Sequence, residues 1–177
     1  GRLLLAMPAI GDPRFDQAIL AMIQHDEEGA MGIAIGQPGS LHVSDLMEQS
    51  GIAFALDPDP DVLIGGPVSP ERGFVLHSRD WVDTDTIEVD GRFAITASVE
   101  ILRAIAEDRG PAQWQIALGY AGWGAGQLEA EIAQDAWHVT DVDSEILFDL
   151  APASRWRATL ARDRIDPGRI ALRGGHA

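Results

Sequence analysis

The segment Gly119-Tyr120-Ala121-Gly122-Trp123-Gly124-Ala125-Gly126-Gln127-Leu128-Glu129 sets four glycines around two large aromatic side chains. Glycine is costly to order, so this density implies backbone held in tight turns or close approaches beside rigid rings. Such a segment builds a binding site, although close strand-to-helix packing draws on the same residues. A second glycine-dense stretch, Gly65-Gly66-Pro67-Val68, ends an apolar run at Val62-Leu63-Ile64. We expect the two to converge on one cleft made from Gly65, Gly66, Pro67, Gly119, Tyr120, Gly122, Trp123 and Gly124, with Tyr120 and Trp123 as its walls.

Other residue groups have weaker claims to chemistry. His25-Asp26-Glu27-Glu28 carries donors for a hard metal or for acid–base work, but adjacent side chains in a hairpin turn diverge, and a solvated turn accounts for the charges. His42, His77, His138 and His176 form no HExxH or other metal spacing. Asp57, Asp59 and Asp61 alternate with proline and lack the glycine and terminal glutamate of an EF-hand loop. No Gly-x-Ser-x-Gly elbow occurs, and His77-Ser78 is no dyad, because neighbours on a strand point to opposite faces. Gly122-Trp123-Gly124-Ala125-Gly126-Gln127 fails the dinucleotide fingerprint at its third glycine position. A helix starting near Gly126 would offer free N–H groups to an anion, assisted by Arg72 or Arg92, but the net charge of −15 disfavours anionic ligands. No metal or cofactor is therefore expected, and an interaction protein is favoured over an enzyme.

Composition narrows the classes further. Without cysteine there is no disulfide, thiolate chemistry or Cys-type zinc site. All 13 basic residues are arginine, which excludes a Walker A lysine, a pyridoxal Schiff base and a kinase-type strand lysine. Phosphate repulsion makes nucleic-acid binding by the whole surface unfavourable. The charge is uneven: residues 151–177 carry six arginines against Asp163 and Asp166, while the first 150 residues have a net charge of −19. A helix docked on an acidic body explains the basic end more simply than a nucleic-acid contact. No apolar run approaches the roughly 18 residues of a membrane span, and a cytoplasmic protein is expected.

The elements that position these residues are legible in outline. Leu3–Met7 reads as a buried strand, and the runs 18–23 and 29–35 as a β-hairpin. Ser44–Gln49 reads as a short helix closed by Gly51. Strands are expected at 62–64, 73–77, 86–89 and 92–96, the last two joined by Asp90-Gly91, a strong hairpin signal. Ser98 is expected to cap a helix over Val99–Arg109 that Gly110-Pro111 stops. A strand through Trp114–Tyr120, a helix over Leu128–Gln134 and a strand over Ala136–Val139 follow. Ser144 is expected to cap a short helix, and Pro152 opens a final one containing Trp156, Leu160 and Ile165. The irregular order predicts α+β with a mixed sheet, in one domain over 1–177 with an Arg-rich helical end at 151–177.

These motifs resemble the YqgE/AlgH family of bacterial proteins. The match runs through Leu4-Leu5-Ala6-Met7-Pro8, His25 to Gly32, Gly65 to Val68 and Gly73 to His77. It continues through Gly119 to Gly124, Gly126 to Glu129 and Ala136-Trp137, in order and with agreeing spacing. Gly36-Gln37-Pro38 departs from the Asn-Lys-Pro type common in that family, so no role of that Asn or Lys carries over. The resemblance implies a mixed, strongly curved, partly barrel-like sheet surrounded by helices. It also implies the label of transcriptional regulator, an association with alginate production that names no catalytic residues. No helix-turn-helix with a basic recognition helix is visible. The expected role is a non-enzymatic regulatory protein that meets a protein or peptide partner through the glycine/aromatic cleft. The alternative is a small-molecule-binding protein or enzyme using the same cleft.

Overall fold

The computed structural model describes residues 1–166. Its strands are β1 (Arg2–Ala6), β2 (Ile19–Asp26), β3 (Gly29–Ala34), β4 (Pro38–His42), β5 (Asp61–Ile64), β6 (Val68–His77), β7 (Ile87–Val89), β8 (Phe93–Thr96), β9 (Trp114–Gly124) and β10 (Trp137–Asp141). Its helices are α1 (Val43–Gln49), α2 (Val99–Ala106), α3 (Gln127–Ala133) and α4 (Pro152–Arg162), with single 3-10 turns at Pro8–Ile10 and Pro13–Phe15 and a π-type turn at Glu145–Asp149. The strands form one sheet in the order β10-β1-β2-β3-β9-β6-β8-β7, with β5 pairing β9 and β4 pairing β5. The β5–β9 pair is parallel and the others are antiparallel, so the sheet is mixed. It is the strongly curved, half-barrel α+β fold that the sequence motifs imply.

Strand β9 pairs with three others, β3, β5 and β6. One edge of this 11-residue strand follows β6. Its other edge pairs with β5 through Ala117 and Leu118, then changes partner to β3 from Ala121 onward. Gly119 lies at the changeover with φ +74°, a conformation that side-chain-bearing residues adopt only at a cost.

Side-chain alternation sorts the apolar residues to the two faces. Leu3 and Leu5 join Ile19, Ile33, Leu76, Phe93 and Ile95 in the main core, which Trp156 and Leu160 of α4 close. Leu4 and Ala6 face the other way, into a second cluster with Leu20, Trp123, Leu128 and Trp137 beneath α3. A third cluster packs Val43 and Met47 of α1 and Ile101 and Ile105 of α2 onto Val62, Val75 and Ile116. Strand β1 is covered on both sides, which explains its continuous apolar run.

Local differences from the sequence reading have identifiable causes. Ser98 and Ser144 occupy N-cap positions but make no side-chain cap. The Ser98 hydroxyl donates instead to Asp83 Oδ2 at 2.6 Å. Asp143, rather than Ser144, accepts from the Ile146 N–H at 2.9 Å. Helix α2 stops at Ala106, three residues short of Arg109 and four before Gly110. The Arg-rich end contributes α4, while 167–177, with Arg169 and Arg173, lie outside the described residues. Among the described residues no helix is long and apolar enough to cross a membrane.

Candidate functional site

The two glycine-dense segments meet. The Gly65 N–H donates to the Leu118 carbonyl at 2.7 Å, and the Gly65 carbonyl accepts from the Ala34 N–H at 2.7 Å. The Gly65-Gly66 segment is thereby stitched to both β3 and β9 where β9 changes partner. Contact is main chain on main chain: a Cβ on Gly66 would stand 2.1 Å from the Tyr120 carbonyl carbon, and one on Gly119 would stand 2.4 Å from the Gly66 oxygen. Gly65, Gly66 and Gly119 therefore serve this close crossing, and any side chain there would part the strands.

Two adjoining cavities open at the crossing. The larger, about 560 Å³, lies between the Pro13–Ala18 turn, Gly36-Gln37, Gly66-Pro67 and the start of α4 at Pro152, Ala153 and Trp156. The smaller, about 330 Å³, is lined by Phe15, Pro67, Val68, Gly122, Trp123, Glu131 and Trp137, among others. Arg14, Phe15 and Pro67 line both, so the two are neighbouring compartments of one groove. Ile64 (44% exposed) lines the larger and Val68 (37%) the smaller, placing apolar side chains at the surface on either side of Pro67.

Of the residues assigned to the cleft from sequence, Gly66, Pro67, Gly122 and Trp123 line these cavities. Gly65, Gly119 and Gly124 are not in their linings, and Gly124 donates its N–H to Gln127 Oε1 at 3.1 Å. Tyr120 is turned to the other face of β9, where its ring meets Phe74 edge-on at 6.1 Å. An odd separation of three residues puts Tyr120 and Trp123 on opposite faces of a strand. Trp137, Phe15 and Glu131 take the wall position that Tyr120 does not. Phe15 meets Trp137 edge-to-face at 5.7 Å, and Trp137 meets Trp123 at 5.9 Å.

Glu131 joins these aromatics to α3. Its Oε2 accepts the indole N–H of Trp123 at 2.9 Å and that of Trp137 at 2.7 Å, while Oε1 accepts from Gln127 Nε2 at 3.0 Å. Gln127 and Glu131 are four residues apart, one helical turn, so they share a face of α3. Beside them Arg14 is matched to Asp12, with Nη2 2.6 Å from Oδ2, and the pairing holds the Asp12 carboxyl below its usual range. The sequence reading missed Phe15, Arg14, Glu131, Trp137 and Trp156. The i, i+4 pair on α3 and the Ala136-Trp137 motif were the signals available for two of them.

The remaining candidate groups have structural partners. His25 Nε2 lies 2.7 Å from Glu129 Oε1, and Asp26 accepts from the Gln24 side chain and the Glu28 N–H, contacts that depress its pKa. His42 pairs with Asp61 at 2.9 Å and His138 with Asp163 at 2.8 Å. Asp59 holds the hydroxyl and N–H of Ser44. His77 is fully buried between the Ser78 carbonyl, 2.8 Å from Nδ1, and the Thr96 hydroxyl, 2.9 Å from Nε2; burial lowers its pKa. No group of three metal-type ligands occurs among the described residues, and His176 lies outside them. Arg155 is 3% exposed, and among the described residues it bonds neutral oxygens, those of Leu150, Ile35 and Gln115. Desolvation lowers its pKa to about 10. Arg162 is held by Asp143, Asp163, Thr140 and the Asp141 carbonyl. Both arginines are thus part of the packing of α4. Arg72 lies over the Phe74 ring at 5.1 Å.

A half-barrel sheet crossed by a diglycine segment, with a divided groove at the crossing, defines an α+β protein of the curved-sheet class. Comparison with known proteins makes this specific. The chain belongs to the AlgH-like family, whose model matches residues 3–168. It is 49% identical to a UPF0301 protein of Sphingopyxis alaskensis over the whole of this chain and 95% of that one. With a UPF0301 protein of Rhizorhabdus wittichii it shares 48% identity over 100% and 96% of the two chains. The fold is similar to the solution structure of the AlgH protein from Pseudomonas aeruginosa, with TM-score 0.82 and 40% identity over 99% of this chain and 94% of that one. A crystal structure from Corynebacterium diphtheriae, TM-score 0.74 at 19% identity over 92% and 85% of the chains, shares the fold.

Proposed function

We propose that this chain is a regulatory interaction protein of the cytoplasm that captures a short segment of a partner protein in the groove at the Gly66/β9 crossing. The observation that carries this reading is the rim. Ile64 and Val68 are exposed apolar side chains that flank Pro67, and each opens into one of two adjoining cavities. Rigid aromatic pockets beneath an apolar rim suit anchoring side chains of a peptide, because such anchors carry most of the binding energy of an interface. Regulation then works through a bound protein rather than through direct contact with nucleic acid, in keeping with the net charge of −15.

The test compares wild type with the double variant Ile64→Glu/Val68→Glu in affinity capture from nuclease-treated lysate, followed by titration of the purified partner. Val82→Glu, at a residue 75% exposed and outside both cavities, is the control. The double variant is expected to lose the partner and the control to keep it. Equal capture by all three proteins would refute the reading. A second reading, a small-molecule-binding protein or enzyme using the same groove, is supported by the 560 Å³ compartment, which is within the size range of ligand pockets. A metabolite retained by native mass spectrometry and displaced by Ala153→Trp would favour it.

A further inference from the structure

We propose that the smaller compartment is a cation-accepting cage that takes the ammonium or guanidinium end of a basic side chain from the partner segment; this rests on the groove being the binding site. Three rings are set edge-to-face in series: Phe15 and Trp137 at an interplanar angle of 74°, and Trp137 and Trp123 at 80°. In each pair the edge of one ring meets the face of the next, so the three form one packed aromatic cluster along the side of the compartment. Both indole N–H groups are already engaged by Glu131, so the polar edges of these rings are not available to a ligand. Trp123 and Trp137 are 8% and 4% exposed, so a small part of their ring surface, with that of the half-buried Phe15, faces the compartment, and such π-surface attracts cations.

The charge of the wall has the complementary sign. Glu131 lines the compartment, and its three hydrogen bonds all come from neutral donors: two indoles and the Gln127 amide. Among the described residues it has no ion-pair partner. The other two charged residues of the lining, Asp12 and Arg14, are matched to each other. The compartment therefore holds one uncompensated carboxylate beside three aromatic rings, the arrangement that recognises an organic cation. A neutral apolar anchor would gain the rings but leave that charge desolvated and unanswered.

The probes are n-butylammonium and the neutral 1-butanol, titrated at constant ionic strength into ¹⁵N-labelled full-length chain. The readout is the indole N–H resonances of Trp123, Trp137 and Trp156. The expected result is movement of the Trp123 and Trp137 signals, with the ammonium binding about tenfold more tightly than the alcohol. Glu131→Gln keeps an oxygen for both indoles and should bring the two probes to within about a factor of two. Phe15→Leu, which leaves Glu131 untouched, should also reduce the ammonium preference. Equal affinity for the two probes, or a preference that survives Glu131→Gln, would overturn the cage. If only Trp156 in the larger compartment responds, the cage is wrong and the groove reading stands. Silence at all three indoles would count against both.

Discussion

Glu131 ties together the smaller compartment, and its removal should be felt in stability before it is felt in binding. Glu131→Ala leaves the Trp123 and Trp137 N–H groups without their acceptor. Stranding buried donors should cost about 1–3 kcal/mol, against less than about 1 kcal/mol for Glu131→Gln, measured by urea unfolding followed by tryptophan fluorescence. Trp123→Ala is a poor probe of function for a related reason. The side chain is only 8% exposed, and emptying its site should cost about 3–5 kcal/mol. His77 supplies a pH dependence. Burial, opposed by the Ser78 carbonyl and by Asp80 and Asp83, lowers its folded-state pKa. Above the ordinary histidine pKa of about 6.5 both folded and unfolded forms are neutral. As pH falls through that value the unfolded chain takes up the proton first, so stability drops on acidification. In His77→Gln, the fall in urea midpoint between about pH 7 and pH 5 should be shallower. An unchanged slope would assign the acid sensitivity to other groups.

At the scale of elements, the crossing of Gly65-Gly66 over β9 positions the groove. Gly66→Ala places a methyl group against the Tyr120 main chain and should cost at least about 3 kcal/mol or prevent folding. Gly51→Ala, at φ +71° with nothing within 4 Å, should cost only about 1–2 kcal/mol, the price of the left-handed backbone. Thermal unfolding of the two variants checks the contrast. Much at this scale was legible. Asp90-Gly91 marked the β7–β8 hairpin, and glycine density marked a place where two main chains touch, because only glycine permits that approach. The face of each aromatic was partly legible, since strand alternation separates Tyr120 from Trp123 once β9 is known to run unbroken to Gly124. The pairing of Trp123 with Trp137 through Glu131 was not, because it depends on where α3 docks. The larger compartment was equally hidden: its walls come from the 13–18 turn, the 36–37 and 64–67 segments, and α4, which no local pattern links. Nor does an arginine-rich helix reveal from composition that Arg155 is buried.

At the scale of the whole molecule, the excess of negative charge repels itself and attracts basic partners. Raising NaCl from about 10 to about 200 mM should screen that repulsion and raise Tm by about 3 °C. The same change should slow association with a basic segment, because steering by long-range charge is screened. Salt-independent stability would mean that the local pairs, such as Arg2–Asp141 and Arg79–Glu88, already balance the surface. The central claim is that the groove at the crossing is where a partner binds. The most direct measurement is amide hydrogen exchange of the chain with and without its captured partner. Protection concentrated in 12–18, 64–68 and 121–137 is the predicted result. Protection confined to the β7 edge or to α2, with those segments unchanged, would contradict it.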